Sequence, residues 1–208
     1  MKKNQNYAII SFTCFIIITI LLYINHLNTL DNLLYNNIMG IRSTLLDFFF
    51  INITKLCNPL FITIASITVL LFLRKDNRLF FGINTLLTIF TNQILKRIIR
   101  RPRPNHIRLI KESGFSYPSG HSMIAVALYG FLIYLVIKKV KNKYLKICLI
   151  TILISIIILV GISRVYLGVH YPTDVISGYL LAISIIITVK NYYKKFLGGI
   201  KNAKNGFE

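Results

Sequence analysis

Two histidines in polar stretches between apolar segments have neighbours suited to phosphoryl transfer. His170 precedes Pro172 and Asp174. Because proline favours the first turn of a helix and restricts the residue before it, we expect His170 just ahead of a helix and Asp174 in its first turn. Asp174 would then accept the Nδ1–H of His170 and leave Nε2 free to attack phosphorus. The alternative for His170 alone is an interfacial histidine beside an acid that only favours the helix dipole.

The second histidine closes the run Pro118-Ser119-Gly120-His121. Ser119 is a good N-cap for a helix beginning there, and Gly120 allows a ligand to approach the backbone closely. Free N–H groups at a helix N-terminus bind anions. His121 is placed to protonate a leaving oxygen, which accelerates such reactions by roughly 10²–10⁴-fold. By itself, this run fits an ordinary Ser-Gly helix start better than an anion site.

Cations make up a third polar region. Lys96 ends one apolar segment, Arg164 follows another, and Pro102 and Pro104 keep the chain around Arg103 extended. Lysine and arginine together can surround a transferring phosphoryl group without a metal, and the sequence offers no cluster of carboxylates or cysteines as ligands. We therefore predict no metal and no cofactor. Attraction to anionic lipid head groups is the alternative for about half of the remaining loop cations: Arg97, Arg100, Arg101, Arg108 and Lys111.

Hydropathy places these residues in a membrane protein. The chain has 208 residues, 55% of them hydrophobic, and a formal charge of +19; its mean hydropathy is +0.64. That hydropathy argues against a soluble nucleic-acid binder. Apolar runs of about 20 residues match the bilayer core. We predict an all-α bundle of six transmembrane helices forming a single domain over residues 1–208. The predicted spans are 7–25, 56–73, 79–95, 120–137, 145–163 and 174–190.

The segments outside these spans are the 26–55 connection and the 191–208 tail. The connection is nearly neutral, and its apolar part, residues 45–53, is too short to span and is expected at the interface or on the bundle. The tail is polar and basic, and we expect it to be frayed.

The distribution of Lys and Arg predicts the orientation. Fifteen of the 25 lie on the side of the two termini, so the positive-inside rule puts both termini in the cytoplasm and all three polar regions on the extracytoplasmic face of the plasma membrane. The loop 96–111, with seven cations, opposes this rule.

Taken in order, three motifs resemble the signatures of the type-2 phosphatidate phosphatase superfamily. They are Lys-x6-Arg-Pro from Lys96 to Pro104, Pro-Ser-Gly-His from Pro118 to His121, and Ser-Arg-x5-His-x3-Asp from Ser163 to Asp174. The resemblance implies a metal-independent, six-helix membrane phosphatase that forms a phosphohistidine. It implies His170 as nucleophile, Asp174 as its partner and His121 as acid. The implied phosphate-binding residues are Lys96, Arg103, Ser119, Gly120 and Arg164.

A membrane lipid phosphate is therefore the expected substrate, and the lipid bilayer the expected environment. Small relatives of this layout favour undecaprenyl diphosphate or phosphatidylglycerophosphate; phosphatidate and lipid A phosphatases are alternatives. A non-catalytic anion transporter is a rival of another class, but its site should lie near the midplane on broken helices. We expect no nucleic-acid partner, and the sequence carries no signal for an oligomeric state.

Overall fold

The structure is a computed structural model that describes residues 2–73, 75–105 and 108–205. Within these ranges every regular element is an α-helix, and no strand occurs. The helices are α1 (Lys2–Tyr23), α2 (Asn28–Gly40), α3 (Thr44–Lys55), α4 (Pro59–Phe72), α5 (Lys75–Ile99), α6 (Gly120–Lys139), α7 (Lys143–Tyr166) and α8 (Pro172–Asn205). The all-α prediction is confirmed.

Local sequence signals account for several helix starts. Ser43, Asn58, Ser119 and Asn142 each accept a hydrogen bond from a backbone N–H of the first turn that follows, which satisfies donors with no partner inside the helix. Pro172 begins α8 as predicted, in the position where its missing N–H costs nothing.

The interior of the bundle is formed mainly by α6 and α8. Their membrane-length windows are 44% and 56% buried, whereas those of α1 and α7 are each 11% buried. Backbones approach closely between α6 and α8, because a Cβ at Gly178 would come within 2.9 Å of the Ser119 carbonyl oxygen. Helix α5 turns polar side chains inward: the Asn84 amide donates to the Ala127 carbonyl at 3.1 Å. Such inward bonds keep polar groups away from lipid.

The number of spans differs from the sequence-based count. Among the described residues, four helices are long and apolar enough to cross a bilayer, namely α1, α6, α7 and α8. Helices α3 and α4, bent by 44° relative to each other, would make a fifth if they form one span. Helix α4 has 14 residues, or about 21 Å, which is shorter than a bilayer core. The six-span count is not confirmed.

The 26–55 connection is helical rather than a loop. It forms α2 and α3, which pack on α7 and α8. Hydrogen bonds place α3 at the end of the bundle that carries the motifs: the backbone N–H of Ser43 donates to the Tyr166 hydroxyl, and that hydroxyl donates to Asp47 at 2.6 Å. Packing on the bundle, one of the two expected placements, is therefore observed.

Among the helix ends that lie beyond their predicted limits, two change the setting of predicted features. Helix α7 continues to Tyr166, so Arg164 sits inside its last turn instead of following the helix. Helix α8 continues to Asn205, so the tail that was predicted to fray has a helical backbone over residues 191–205. Residues 206–208 lie outside the described residues.

Candidate active site

His170 lies in the short connection between α7 and α8 and is paired with Asp174. The His170 Nδ1 atom is 3.3 Å from Asp174 Oδ2, which also accepts the backbone N–H of Tyr171 at 2.9 Å. Both side chains are almost completely buried. The predicted turn of the carboxylate back onto the imidazole is thus present, and it orients His170 with Nδ1 as the donor.

Arg103 approaches the opposite nitrogen of the same imidazole. Its Nη1 atom is 3.2 Å from His170 Nε2 and also donates to the Val169 carbonyl at 2.8 Å. A guanidinium has only donors, so this contact requires an unprotonated Nε2 and favours the same tautomer as Asp174. Burial lowers the pKa of His170 to about 4, although Asp174 opposes the shift. The imidazole is therefore neutral at pH 7, as a nucleophile must be.

Arg164 brings a second guanidinium, held from two sides. Its Nη1 donates to the Thr54 hydroxyl at 2.6 Å, and its Nη2 donates to Glu112. Glu112 also lies 3.7 Å from Arg103, so one carboxylate is shared by two cations. Burial alone would raise the pKa of Glu112, but the charge and hydrogen bond of Arg164 hold it below its usual value. The Arg164 Nε atom is buried without a hydrogen-bond partner in the described structure.

Ser119 and Gly120 sit where the start of α6 meets α8. The backbone N–H of Ser119 donates to the Asp174 carbonyl at 3.0 Å, which joins the second motif to the third. Ser119 is the N-cap of α6, as predicted. Gly120 has an additional reason to lack a side chain, because a Cβ there would lie 3.1 Å from Asn92 Oδ1. Asn92, which the sequence did not single out, donates to the Pro118 carbonyl at 3.0 Å.

Lys96 and His121 line a cavity of about 370 Å³ next to these groups. Its other walls include the apolar residues Pro59, Ile62 and Ile124. The Lys96 ammonium donates to the Phe115 carbonyl at 2.8 Å. His121 lies within electrostatic range of His170 and of three cations, Lys96, Arg103 and Arg164. The cavity is therefore lined by a cation and an imidazole as well as by apolar side chains.

The remaining loop cations divide into two groups. Arg97, Arg100, Arg108 and Lys111 are exposed. Arg101 instead points inward and donates to Asp174 Oδ1 and to Asp31 Oδ2, each at 2.6 Å. About half of this set was expected to serve lipid head groups; the structure leaves four of the five side chains exposed for such a role.

Sequence reasoning missed Asp31 and Glu112. Both are acids in a chain that has only six Asp and Glu residues, so each acid near the motifs was a signal that could have been followed. The partners of Asp31 lie in the first motif and at the start of α8, and those of Glu112 in the first and third motifs. Thr54 and Asn92 offered no comparable signal.

Together, these groups provide an oriented neutral imidazole, buried guanidinium donors and a helix N-terminus. Such an arrangement suits a nucleophilic attack on phosphorus with neutralisation of the charge on its oxygens. Within the part of the chain that the structure describes, no three His, Cys, Asp or Glu side chains are grouped so as to hold a metal ion.

Comparison with known proteins gives relatives among lipid phosphatases. The chain is 42% identical over 120 residues to phosphatidylglycerophosphatase B of Bacillus subtilis (strain 168), covering 56% of this chain and 56% of that protein. It is 35% identical over 107 residues to an undecaprenyl-diphosphatase of Sulfolobus acidocaldarius, covering 48% and 47% of the two chains. The alignments thus span about half the length of these curated relatives.

A solved structure matches over more of the chain. The transmembrane PAP2-type phosphatidylglycerolphosphate phosphatase from Bacillus subtilis superposes with a TM-score of 0.81 at 31% identity, covering 90% of this chain and 96% of that one. The model of the PAP2 superfamily matches residues 77–197, which contain all three motifs. The resemblance read from the motifs is confirmed, and the chain belongs to the PAP2 superfamily.

Proposed function

We propose that this protein hydrolyses a phosphate ester or diphosphate of a membrane lipid, through a phosphohistidine formed on His170. The observation that carries the proposal is the His170 imidazole held between Asp174 and Arg103, with Nδ1 as donor and Nε2 as acceptor. The family and the lipid phosphatases among its relatives support the same chemistry.

In the first half-reaction, His170 Nε2 attacks phosphorus while the bond from phosphorus to the leaving oxygen breaks. His121 gives a proton to that oxygen, which would otherwise leave as a poor alkoxide or phosphate anion. The new imidazolium charge on His170 is stabilised by Asp174. In the second half-reaction, His121 takes a proton from water, the water oxygen bonds to phosphorus, and the bond between nitrogen and phosphorus breaks.

The phosphoryl oxygens would be held by the side chains of Lys96, Arg103 and Arg164 together with Ser119 and the backbone N–H groups at Gly120. The unpaired Nε of Arg164 is a donor available to them. Arg103 now engages the lone pair of His170 Nε2, so it must transfer this hydrogen bond to a phosphate oxygen before attack. Charge neutralisation of this kind is the main contribution of a protein to phosphoryl transfer.

For the substrate we favour undecaprenyl diphosphate or phosphatidylglycerophosphate over phosphatidate or lipid A. The cavity beside His121 is lined by Lys96 and by apolar residues of α4 and α6, which fits a phosphate attached to a long hydrocarbon chain. Phosphate release by the purified protein should be measured across these four lipid phosphates, with His170→Ala as the control. Release from none of them by the unaltered protein would refute the proposal.

Anion transport is the competing function. Flux of radiolabelled phosphate into proteoliposomes separates the two, because a hydrolase releases phosphate from lipid without moving free phosphate across the bilayer. The structure favours hydrolysis, since the cations cluster at helix ends around two histidines, whereas a transporter site is expected near the midplane.

We further propose a site on the extracytoplasmic face of a plasma membrane, with both termini in the cytoplasm. The motifs gather at one end of the bundle, opposite the basic connection between α6 and α7. In a functional cysteine-free background, a membrane-impermeant thiol reagent applied to intact cells should label a cysteine at Asn105 and not one at Asn142. The reverse pattern would place hydrolysis in the cytoplasm and favour phosphatidylglycerophosphate or phosphatidate as substrate.

A further inference from the structure

Behind the His170–Asp174 pair lies a second acid that no motif contains. Asp31, in the first turn of α2, is fully buried. Its Oδ1 atom accepts the backbone N–H of Thr173 at 3.0 Å, and its Oδ2 atom accepts from Arg101 Nη2 at 2.6 Å and from the Thr173 hydroxyl. Asp31 therefore contacts both the start of α8 and a guanidinium that binds Asp174.

Arg101 connects the two carboxylates. Its Nη1 atom donates to Asp174 Oδ1 at 2.6 Å, its Nη2 atom donates to Asp31, and its guanidinium carbon lies 4.2 Å from the centre of the Tyr171 ring. The Arg101 side chain is 12% exposed. Asp31, Arg101, Asp174 and His170 thus form a continuous row of contacts, in which the charges alternate and the imidazole is the last member. We call these four residues the charge row.

The net charge of the charge row changes during the reaction. At rest, with a neutral imidazole, its net charge is −1. Once His170 is phosphorylated on Nε2 and keeps its proton on Nδ1, the ring is cationic and the net charge is 0. Without Asp31, the same step would take the row from 0 to +1 in a buried place, where an uncompensated charge is costly.

From this geometry we propose that Asp31 and Arg101 are positioning residues that act through Asp174 to set how readily His170 accepts positive charge. The proposal rests on the proposed function, since it takes His170 as the nucleophile. Neither residue is required to touch the substrate. Arg101 holds the Asp174 carboxylate in place, and Asp31 offsets the charge that Arg101 would otherwise impose on the imidazole.

Other charged groups also face His170, and they are unchanged in variants at Asp31 or Arg101. Arg103 lies 3.2 Å from Nε2, Arg164 acts from α7, and Glu112 acts from the loop before α6. His121 is the titratable neighbour on α6. Substitutions at Asp31 and Arg101 leave all of these in place, so a change in the behaviour of His170 reports on the charge row.

The test compares Asp31→Asn with Arg101→Gln. The first variant should lower kcat on the order of tenfold with little change in KM. In a plot of kcat/KM against pH, the acid limb, where activity falls as His170 is protonated, should shift to lower pH by about one unit. Arg101→Gln should shift the same limb to higher pH, because loss of a nearby cation makes His170 easier to protonate. The double variant should lie between the two. Asp31→Glu, which keeps the charge, should recover part of the lost kcat.

The matched control is Asp47→Asn. Asp47 is an acid of the same connection that docks its helix onto the Tyr166 hydroxyl at 2.6 Å and does not contact the charge row. In the Asp47→Asn variant, the acid limb of the pH profile should lie at the same pH as in the unaltered protein. Purely structural roles for Asp31 and Arg101 would lower activity without shifting the limb in opposite directions. Shifts of the same sign, or no shift in either variant, would overturn the proposal.

A second readout needs no turnover. In protein with carbon-13-labelled histidine, the His170 resonance is identified by its loss in His170→Ala, and its protonation is followed near pH 4. There it should be less protonated in Asp31→Asn than in the unaltered protein, and more protonated in Arg101→Gln. Absence of lipid phosphate hydrolysis would refute the proposed function, whereas equal protonation in all three proteins would refute the charge row.

Discussion

Replacement of Arg164 by lysine keeps the charge but removes the forked geometry of the guanidinium. Arg164 is 1% exposed and uses Nη1 for Thr54 and Nη2 for Glu112, while Nε is buried without a partner in the described structure. Two of the three guanidinium nitrogens therefore have different partners, and the third is free to bind an anion. A lysine ammonium is a single point that cannot reach Thr54, Glu112 and a phosphate oxygen with one arrangement of its chain.

The expected loss of kcat/KM in Arg164→Lys follows from one missing charge-assisted hydrogen bond. Such a bond contributes about 1.5–3 kcal/mol, and because Arg164 is buried, solvent screening does not reduce this value much. If the bond is made in the transition state, kcat/KM falls roughly 10–150-fold.

The assay is phosphate release from the preferred lipid phosphate in detergent micelles, with Arg108→Lys as the matched control. Arg108 is exposed, and its Nε and Nη2 atoms both donate to the Pro104 carbonyl, at 3.2 and 2.9 Å. The same substitution there should change kcat/KM by less than about twofold. If the two variants are equally mild, the division between phosphate-binding and lipid-facing cations is wrong.

Three further outcomes are expected. His170→Ala and His121→Ala should each abolish turnover, but only His121→Ala should still take up acid-labile, base-stable phosphate from a substrate with a good leaving group; label on His170→Ala would exclude His170 as the nucleophile. Activity should survive EDTA, and a loss restored by Mg²⁺ or Zn²⁺ would contradict a site built on side-chain cations. Glu112→Gln should strengthen competitive inhibition by vanadate by about tenfold, because Glu112 occupies Arg164 where an anion would bind; weaker inhibition would mean that Glu112 chiefly holds Arg164 in position.

Much of the local structure around the motifs is predictable from the sequence, because it depends on neighbours along the chain. The cap at Ser119, the helix start at Pro172 and the approach of Asp174 to His170 follow from helix geometry over four residues. The apolar runs likewise predict helices, since a backbone in lipid must satisfy its own hydrogen bonds. The family is recognisable for the same reason: its signatures are short runs with fixed spacing.

The number of spans could not be read from hydropathy alone. A run of apolar residues has the same composition whether it crosses the bilayer or is too short to do so, and α4 has only 14 residues. Whether α4 joins α3 into a bent span depends on how both pack on the rest of the bundle. The polar residues of α5 lower its hydropathy, yet the side-chain amide N–H groups of Asn84 and Asn92 donate to α6 and to the loop before it.

The supporting residues of the site were decided only by tertiary structure. Asp31 meets Thr173 across 142 positions of sequence, and Thr54 meets Arg164 across 110. Nothing in the local sequence predicts such pairs, because they exist only after separate helices have packed together. Residue types and spacing therefore determined which groups carry the proposed chemistry. The packing of α2 and α3 onto the bundle decided which buried charges balance them, since a buried charge needs a partner and only the folded chain brings one within reach.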